Sequence, residues 1–385
     1  MAEAAFKADN CVINSGMPLL SWEDDIPFSA KAGDGSVENP FQIATADDLE
    51  LLNKLSNTAA TSVFWNSKNY ILTADIDMSG KAFDGLACSV QGTPSGGSSS
   101  VDFSGTIDGN GHIISNLNIN SGELQRARGF ISYASGATVK NLGIVDSTIR
   151  GQRGVGAIIG HDKGGSSTVS ECYVKNVTIT DFNQWNYRVQ GGIVGQVNNT
   201  TIINCYSTGV TGYCEGILPA GIAGRYDGAN GTATITNCYT TSSTVYFDSD
   251  RSGNKTTEVT ISNCYSSDML ESYKLGYAFS DNVSINDGLP VLKWQIGEPI
   301  LSFSIDRETA RVKINCSYSP SVLPAVMVIS AYDSNNMMTD AQMIPISIYK
   351  GNTELEYDLS VSLNSTICGY IWNDFSGLKI YSKVD

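Results

Sequence analysis

The chain has 385 residues, with 39 acidic against 24 basic side chains for a net charge of −15, 38 glycines, 10 prolines, nine cysteines and two histidines. Such an acidic field repels nucleic acid and anionic membrane surfaces, and His112 and His161 alone leave almost no room for Ser-His-Asp, Cys-His or histidine-ligated metal chemistry. No run approaches the roughly 18 consecutive apolar residues of a membrane span, so direct membrane insertion is not expected.

Residues 1–38 form a mixed N-terminal segment ending in the loop-like KAGDGSVEN. The start MAEAAFKADN has no signal-peptide core, and the expectation is a secreted or surface protein whose targeting segment lies outside this sequence. Residues 39–62 read as a helical cap. Thr45 and Asp48 have the spacing of a capping box, and Leu49, Leu52 and Leu55 share one helical face that is suited to cover the first rung of a β-repeat array.

Residues 63–297 turn to strand. YILTADIDMSG alternates, and FSGTIDGNGHIISNLNI places Asn110-Gly111 between two apolar-alternating runs, the signal of a tight turn. LACSVQGTPSGGSSS between them is a low-complexity surface loop. A Cys-Tyr pair then recurs at Cys172, Cys205, Cys238 and Cys264, each three residues after an Ile or Val, and glycine-flanked runs GAIIG, GIVG and GIAG stand before the later pairs. Recurrence at this period predicts stacked supersecondary units rather than one central core. A glycine at each end of a short apolar run lets the chain turn a corner on both sides of an inward strand. The repeating unit is therefore a coil of a parallel β-helix, right-handed by the rule for parallel crossovers.

An odd cysteine count without CxxC favours a buried stack of thiols over a disulfide ladder. Asn204, Asn237 and Asn263 fall at a bend, where stacked amides hydrogen-bond and tolerate left-handed backbone. Glu171 stands in that column, where a carboxylate either breaks the amide ladder or, the favoured reading, marks the edge of the array. Residues 298–385 alternate in six or seven short runs, from ILSFSID to STICGYIW, and predict a small antiparallel β-sandwich. The whole is an all-β chain with a helical cap.

The glycine-apolar-glycine runs followed by INCYSTG resemble GLUG-type repeats of bacterial surface and secreted proteins. The resemblance covers about 70–267; NPFQIATADDLELLNKL is similar to the cap that precedes such arrays, DGLPVLKWQ to their closing segment, and the tail to an accessory β-sandwich domain. It implies a bacterial extracellular or cell-surface setting and an adhesin-like role. Some relatives occur beside metallopeptidase domains, which need HExxH; neither histidine here offers it.

Counted from the cysteines, residues 181–190, 211–219 and 246–257 emerge at one corner of successive coils. That face would carry Trp185, Tyr187, Tyr213, Tyr246 and Phe247 beside Asp181, Glu215, Asp248 and Asp250, a combination of aromatic platforms and carboxylates that suits sugar rings. The expected partner is a host or microbial glycan or a surface protein; packing of the same aromatics onto the coil is the alternative. Catalysis would fall to Glu215 with Asp248 or Asp250 as a carboxylate pair. Asp248, Asp250 and Ser252 before Gly253 imitate the start of a calcium loop, but Val259 stands where the closing glutamate belongs. Otherwise no cofactor is expected. The reading is a non-catalytic binding module, with a glycoside hydrolase or lyase and a self-assembling surface protein as alternatives.

Overall fold

The structure is a computed structural model. It describes residues 33–88, 102–120, 127–151, 154–181, 190–213, 219–224, 232–246, 259–266, 270–281, 284–306, 310–319, 322–335, 337–358, 366–372 and 380–384, with the short strands Phe6–Lys7 and Leu19–Leu20. Contacts divide the chain into Met1–Asp268 and Met269–Asp385.

The first unit is a parallel β-helix. Along its first ladder Tyr70, Ile107, Val139, Val169, Ile202, Ile235 and Ile261 lie in register, one per rung, which makes six turns. All but the last are buried, and Ile261 on the final rung is 45% exposed. A second ladder stacks 113–115, 143–145, 173–175, 206–208 and 239–240. In four coils it runs on into an extension, 118–120, 147–151, 177–181 and 211–213. The third ladder carries Leu86, Ile131, Ile159, Val194, Ala223 and Tyr246. Rungs of a ladder lie about 4.8 Å apart, and each fully buried aliphatic contributes on the order of 1.5–3 kcal/mol.

The bend between the first and second ladders is made by one column of left-handed residues. Asn110, Asn141, Glu171, Asn204, Asn237 and Asn263 have φ between 49° and 54°. Asparagine accepts this geometry and its amide serves the stack. Asn263 Nδ2 donates to Asn237 Oδ1 at 2.7 Å, Asn237 to Asn204 at 3.1 Å, and Asn204 to Glu171 Oε1 at 3.0 Å. Glu171 therefore heads the amide ladder at its edge and does not interrupt it, because the ladder needs an acceptor at that end and a carboxylate is one. In the coil below, Asn141 Nδ2 donates to Asp108 Oδ1 at 3.3 Å.

From Glu171 onward each residue of this column is followed by a cysteine. Cys172, Cys205 and Cys238 are buried free thiols, and each donates to the carbonyl two residues before it, at 3.1–3.2 Å. Burial pushes the thiols of Cys205 and Cys238 far above the usual range. The tyrosines that follow stack ring on ring outside: Tyr173 on Tyr206 and Tyr206 on Tyr239, both with centroids 5.0 Å apart. The stack rests on Gly143, where an added Cβ would lie 2.5 Å from the Tyr173 ring.

The first turn is replaced by helix. Strand Phe41–Ile43 pairs in parallel with 70–72, and between them stand α1 (Ala46–Asn57) and α2 (Ala59–Trp65). The Thr45–Asp48 capping box is formed on both sides, and Leu49, Leu52 and Leu55 are buried. The helices thus do not precede the first rung but take the place of the rest of its turn. There they satisfy the exposed edge of the next one: Ser56 Oγ accepts from Ala87 N at 2.8 Å and Asn57 Oδ1 from Cys88 N at 2.7 Å.

The second unit holds 3₁₀ turns and a short hairpin (Phe279–Ser280 with Val291–Leu292), then two antiparallel sheets around a core that includes Leu301, Phe303, Val312, Met327, Ile329 and Ile371. The coil ends at Tyr265–Ser266, so residues 270–297, expected within the β-helix, lie outside it.

Candidate functional site

One edge of the β-helix gathers chain connections from four adjacent coils. The extension strands pair Asn120 with Arg150, Asp181 with Gly151 and Tyr213 with Thr180, so the four coils leave the sheet at one corner. They return together as well. Arg128 bridges Val155, Val155 pairs with Gln190, and Gly191 bridges Ala220. Segments 121–126, 152–153, 182–189 and 214–218, which run between these paired positions, lie outside the described residues.

The expected third member does not belong to this corner. Tyr246 already bridges Ala223 on the third ladder, and Val259 pairs with Ala233 on the first, so 247–258 connects the third ladder to the first, one corner later. The reason is a missing strand. After Tyr239–Thr240 the fifth coil has no extension; Gly221 N bonds Thr244 O at 2.8 Å and Ile222 N bonds Val245 O at 3.1 Å, closing the coil directly. This is why Cys264 follows Cys238 by 26 residues where the earlier cysteines are 33 apart, and why counting from the cysteines misassigns the loop. The coil also narrows there. Ser207 and Thr240 replace the inward aliphatics of Ile144 and Val174, and Ser207 Oγ donates to Gly221 O at 2.7 Å.

The expected carboxylate pair, Glu215 with Asp248 or Asp250, lies outside the described residues. Tyr246 is 8% exposed and packs in the coil core, so its ring is no outward platform. Asp181 and Tyr213 end their extension strands, while Trp185, Tyr187, Glu215, Phe247, Asp248, Asp250 and Ser252 lie outside the described residues. Among the described residues no three of His, Cys, Asp and Glu come together as a metal-ligand set.

One residue at this edge gave no signal in the sequence. Arg128 is fully buried where the chain returns to the third ladder; its Nη1 donates to Ala127 O at 2.8 Å, and Gly151 and Gly160 clear the space for it. Two carboxyls are held above the usual range by burial. Asp162 accepts from Thr200 Oγ1 at 2.7 Å and Ser167 Oγ at 3.0 Å, and Glu171 sits at the head of the amide ladder. His112 Nδ1 lies 3.0 Å from Asp75 Oδ1, and His161 stands on the third ladder beside Tyr133.

No family model matches the chain, and no solved structure matches it. Over 188 residues it is 30% identical to halomucin of Haloquadratum walsbyi (strain DSM 16790 / HBSQ001); the match covers 47% of this chain and 2% of the length of halomucin.

Proposed function

We propose that this chain is a non-catalytic, cell-surface or secreted β-helix module that binds a glycan or protein through the connections stacked on one edge, chiefly 182–189 and 214–218. The observation that carries this reading is that four adjacent coils leave and re-enter the sheet at paired positions; Trp185, Tyr187 and Glu215 belong to the segments between those positions. Variation concentrated at one corner of a repeat array is where binding sites are built. Aromatics beside a carboxylate suit sugar rings and protein hot spots alike. The kinship with GLUG-type repeats belongs to the same proposal, and the match to halomucin is compatible with it.

The test is a glycan array and a surface-protein overlay with the full chain, repeated with Trp185→Ala and Tyr187→Ala together and with 182–189 replaced by a short glycine linker. Both variants are expected to keep the melting curve and lose the bound ligand. Retention of binding by both would move the site elsewhere. Release of reducing sugar from a bound polysaccharide would replace the reading with an enzymatic one.

A further inference from the structure

The first ladder presents a regular hydroxyl lattice to solvent. Thr106, Thr138, Thr168, Thr201, Thr234 and Thr260 stand in register, one per coil, each just before the inward residue of its rung, which is buried in all but the last. Two residues on, the next outward column carries Ser170, Ile203, Thr236 and Ser262 over the last four coils. Every member of both columns in this span is half-buried or exposed. Neighbouring hydroxyls meet: Thr234 Oγ1 is 3.4 Å from Thr201 Oγ1, and Thr236 Oγ1 is 2.9 Å from Ser262 Oγ.

Charge is confined to the other end of this face. Asp108 and Lys140 occupy the second column in the earlier coils, 3.5 Å apart, and from Thr168 to Ser262 neither column holds a charged or aromatic side chain. In a chain of net charge −15 this is a neutral strip. Rungs repeat every ~4.8 Å and side chains of one strand face every ~6.6 Å, so the strip is periodic in two directions. Threonine is stiff at χ1, which restricts the directions in which its hydroxyl and methyl can point.

A ligand that meets all eight positions at once must itself repeat in two dimensions, carry no charge and offer hydrogen-bond donors and acceptors at every position but that of Ile203. A globular protein partner does not repeat in this way; a second copy of the strip would, and self-association of the wild type that is lost with Thr201→Lys plus Thr234→Lys would overturn the inference in favour of a dimer. A polysaccharide crystal exposes apolar ring faces that want aromatic platforms, and the strip has none. We infer that the threonine face of the last four coils adsorbs to ice, holding a layer of ordered water whose hydrogen-bond pattern the crystal surface continues. This surface lies on a ladder, away from the edge proposed for ligand binding, and stands or falls independently of it.

The test is ice shaping, thermal hysteresis and partition into a slowly growing ice front by the full chain, compared with Thr201→Lys plus Thr234→Lys. A control pair, Thr148→Lys plus Thr178→Lys, places the same charges on the extension strands. The wild type and the control pair are expected to shape ice and enter the front, and the first pair to be excluded from it like an ordinary soluble protein. If that pair melts below the wild type, Thr201→Tyr with Thr234→Tyr replaces it. Exclusion of the wild type from ice overturns the inference, as does retention of adsorption by the substituted strip. Adsorption of the wild type to crystalline cellulose or chitin that is lost with Thr201 and Thr234 would overturn it in favour of a polysaccharide.

Discussion

Glu171 carries the clearest pH dependence in the coil. Its carboxyl is raised above the ordinary value of 4.5 by burial. Between that value and the raised one the native state holds a proton that the unfolded chain has released, so stability falls as pH rises through the raised value and is greatest below 4.5. Glu171→Gln keeps an acceptor for Asn204 and removes the charge. The variant is expected to be more stable than the wild type at neutral pH and to show a flatter slope above pH 4.5, leaving the share of Asp162, whose carboxyl burial raises in the same direction. Urea unfolding at a series of pH values measures both. Asn204 separates the two duties of the bend. Asn204→Gly keeps φ at 54° but removes the amide's bonds to Glu171 and Asn237, a loss of about 1–3 kcal/mol. Asn204→Ala loses the same bonds and adds about 1–2 kcal/mol of left-handed strain, so the alanine variant should melt at the lower temperature.

At the scale of elements, what was legible in the sequence is what is locally encoded. The capping box of α1 is a four-residue code and was met in full, with Leu49, Leu52 and Leu55 all buried. Helix α2, AATSVFW, carries β-branched and aromatic residues and no apolar stripe, and its helicity comes from packing: Trp65 lies against Phe41 and Phe64. Three residues, Phe41–Ile43, are too few for a strand pattern, so the first rung was hidden. The Cys-Tyr repeat predicted the coil because every rung reuses one solution for bend, core and outer stack. It failed as a ruler for the loops because a ruler along the chain cannot register a strand that one coil omits. The cap is open to direct measurement. Leu52 has no exposed surface, and Leu52→Ala should cost about 2–5 kcal/mol of stability to unfolding in denaturant. A loss below about 1 kcal/mol would mean the helices are not holding the first full turn.

The molecule as a whole is two folded units with separate cores. The β-helix is finished differently at its two ends: helix and a buried Trp65 at one, and at the other a last rung whose Ile261 is 45% exposed. The amide ladder shares this asymmetry, since every bond in it points from a later coil to an earlier one. Mechanical load would feel it. A chain held at its two termini and stretched should come apart from the last coil, one coil at a time, because each coil is fastened only to its neighbours. A coil of 33 residues lengthens the tether by about 110 Å when it is released. Single-molecule stretching should then show a sawtooth of such steps, beginning with one shorter step for the coil of 26 residues that ends the stack, and the helix-capped turn should be the last of the β-helix to yield. A protein built this way would act under shear as a graded shock absorber, giving length in instalments while the capped end keeps its shape.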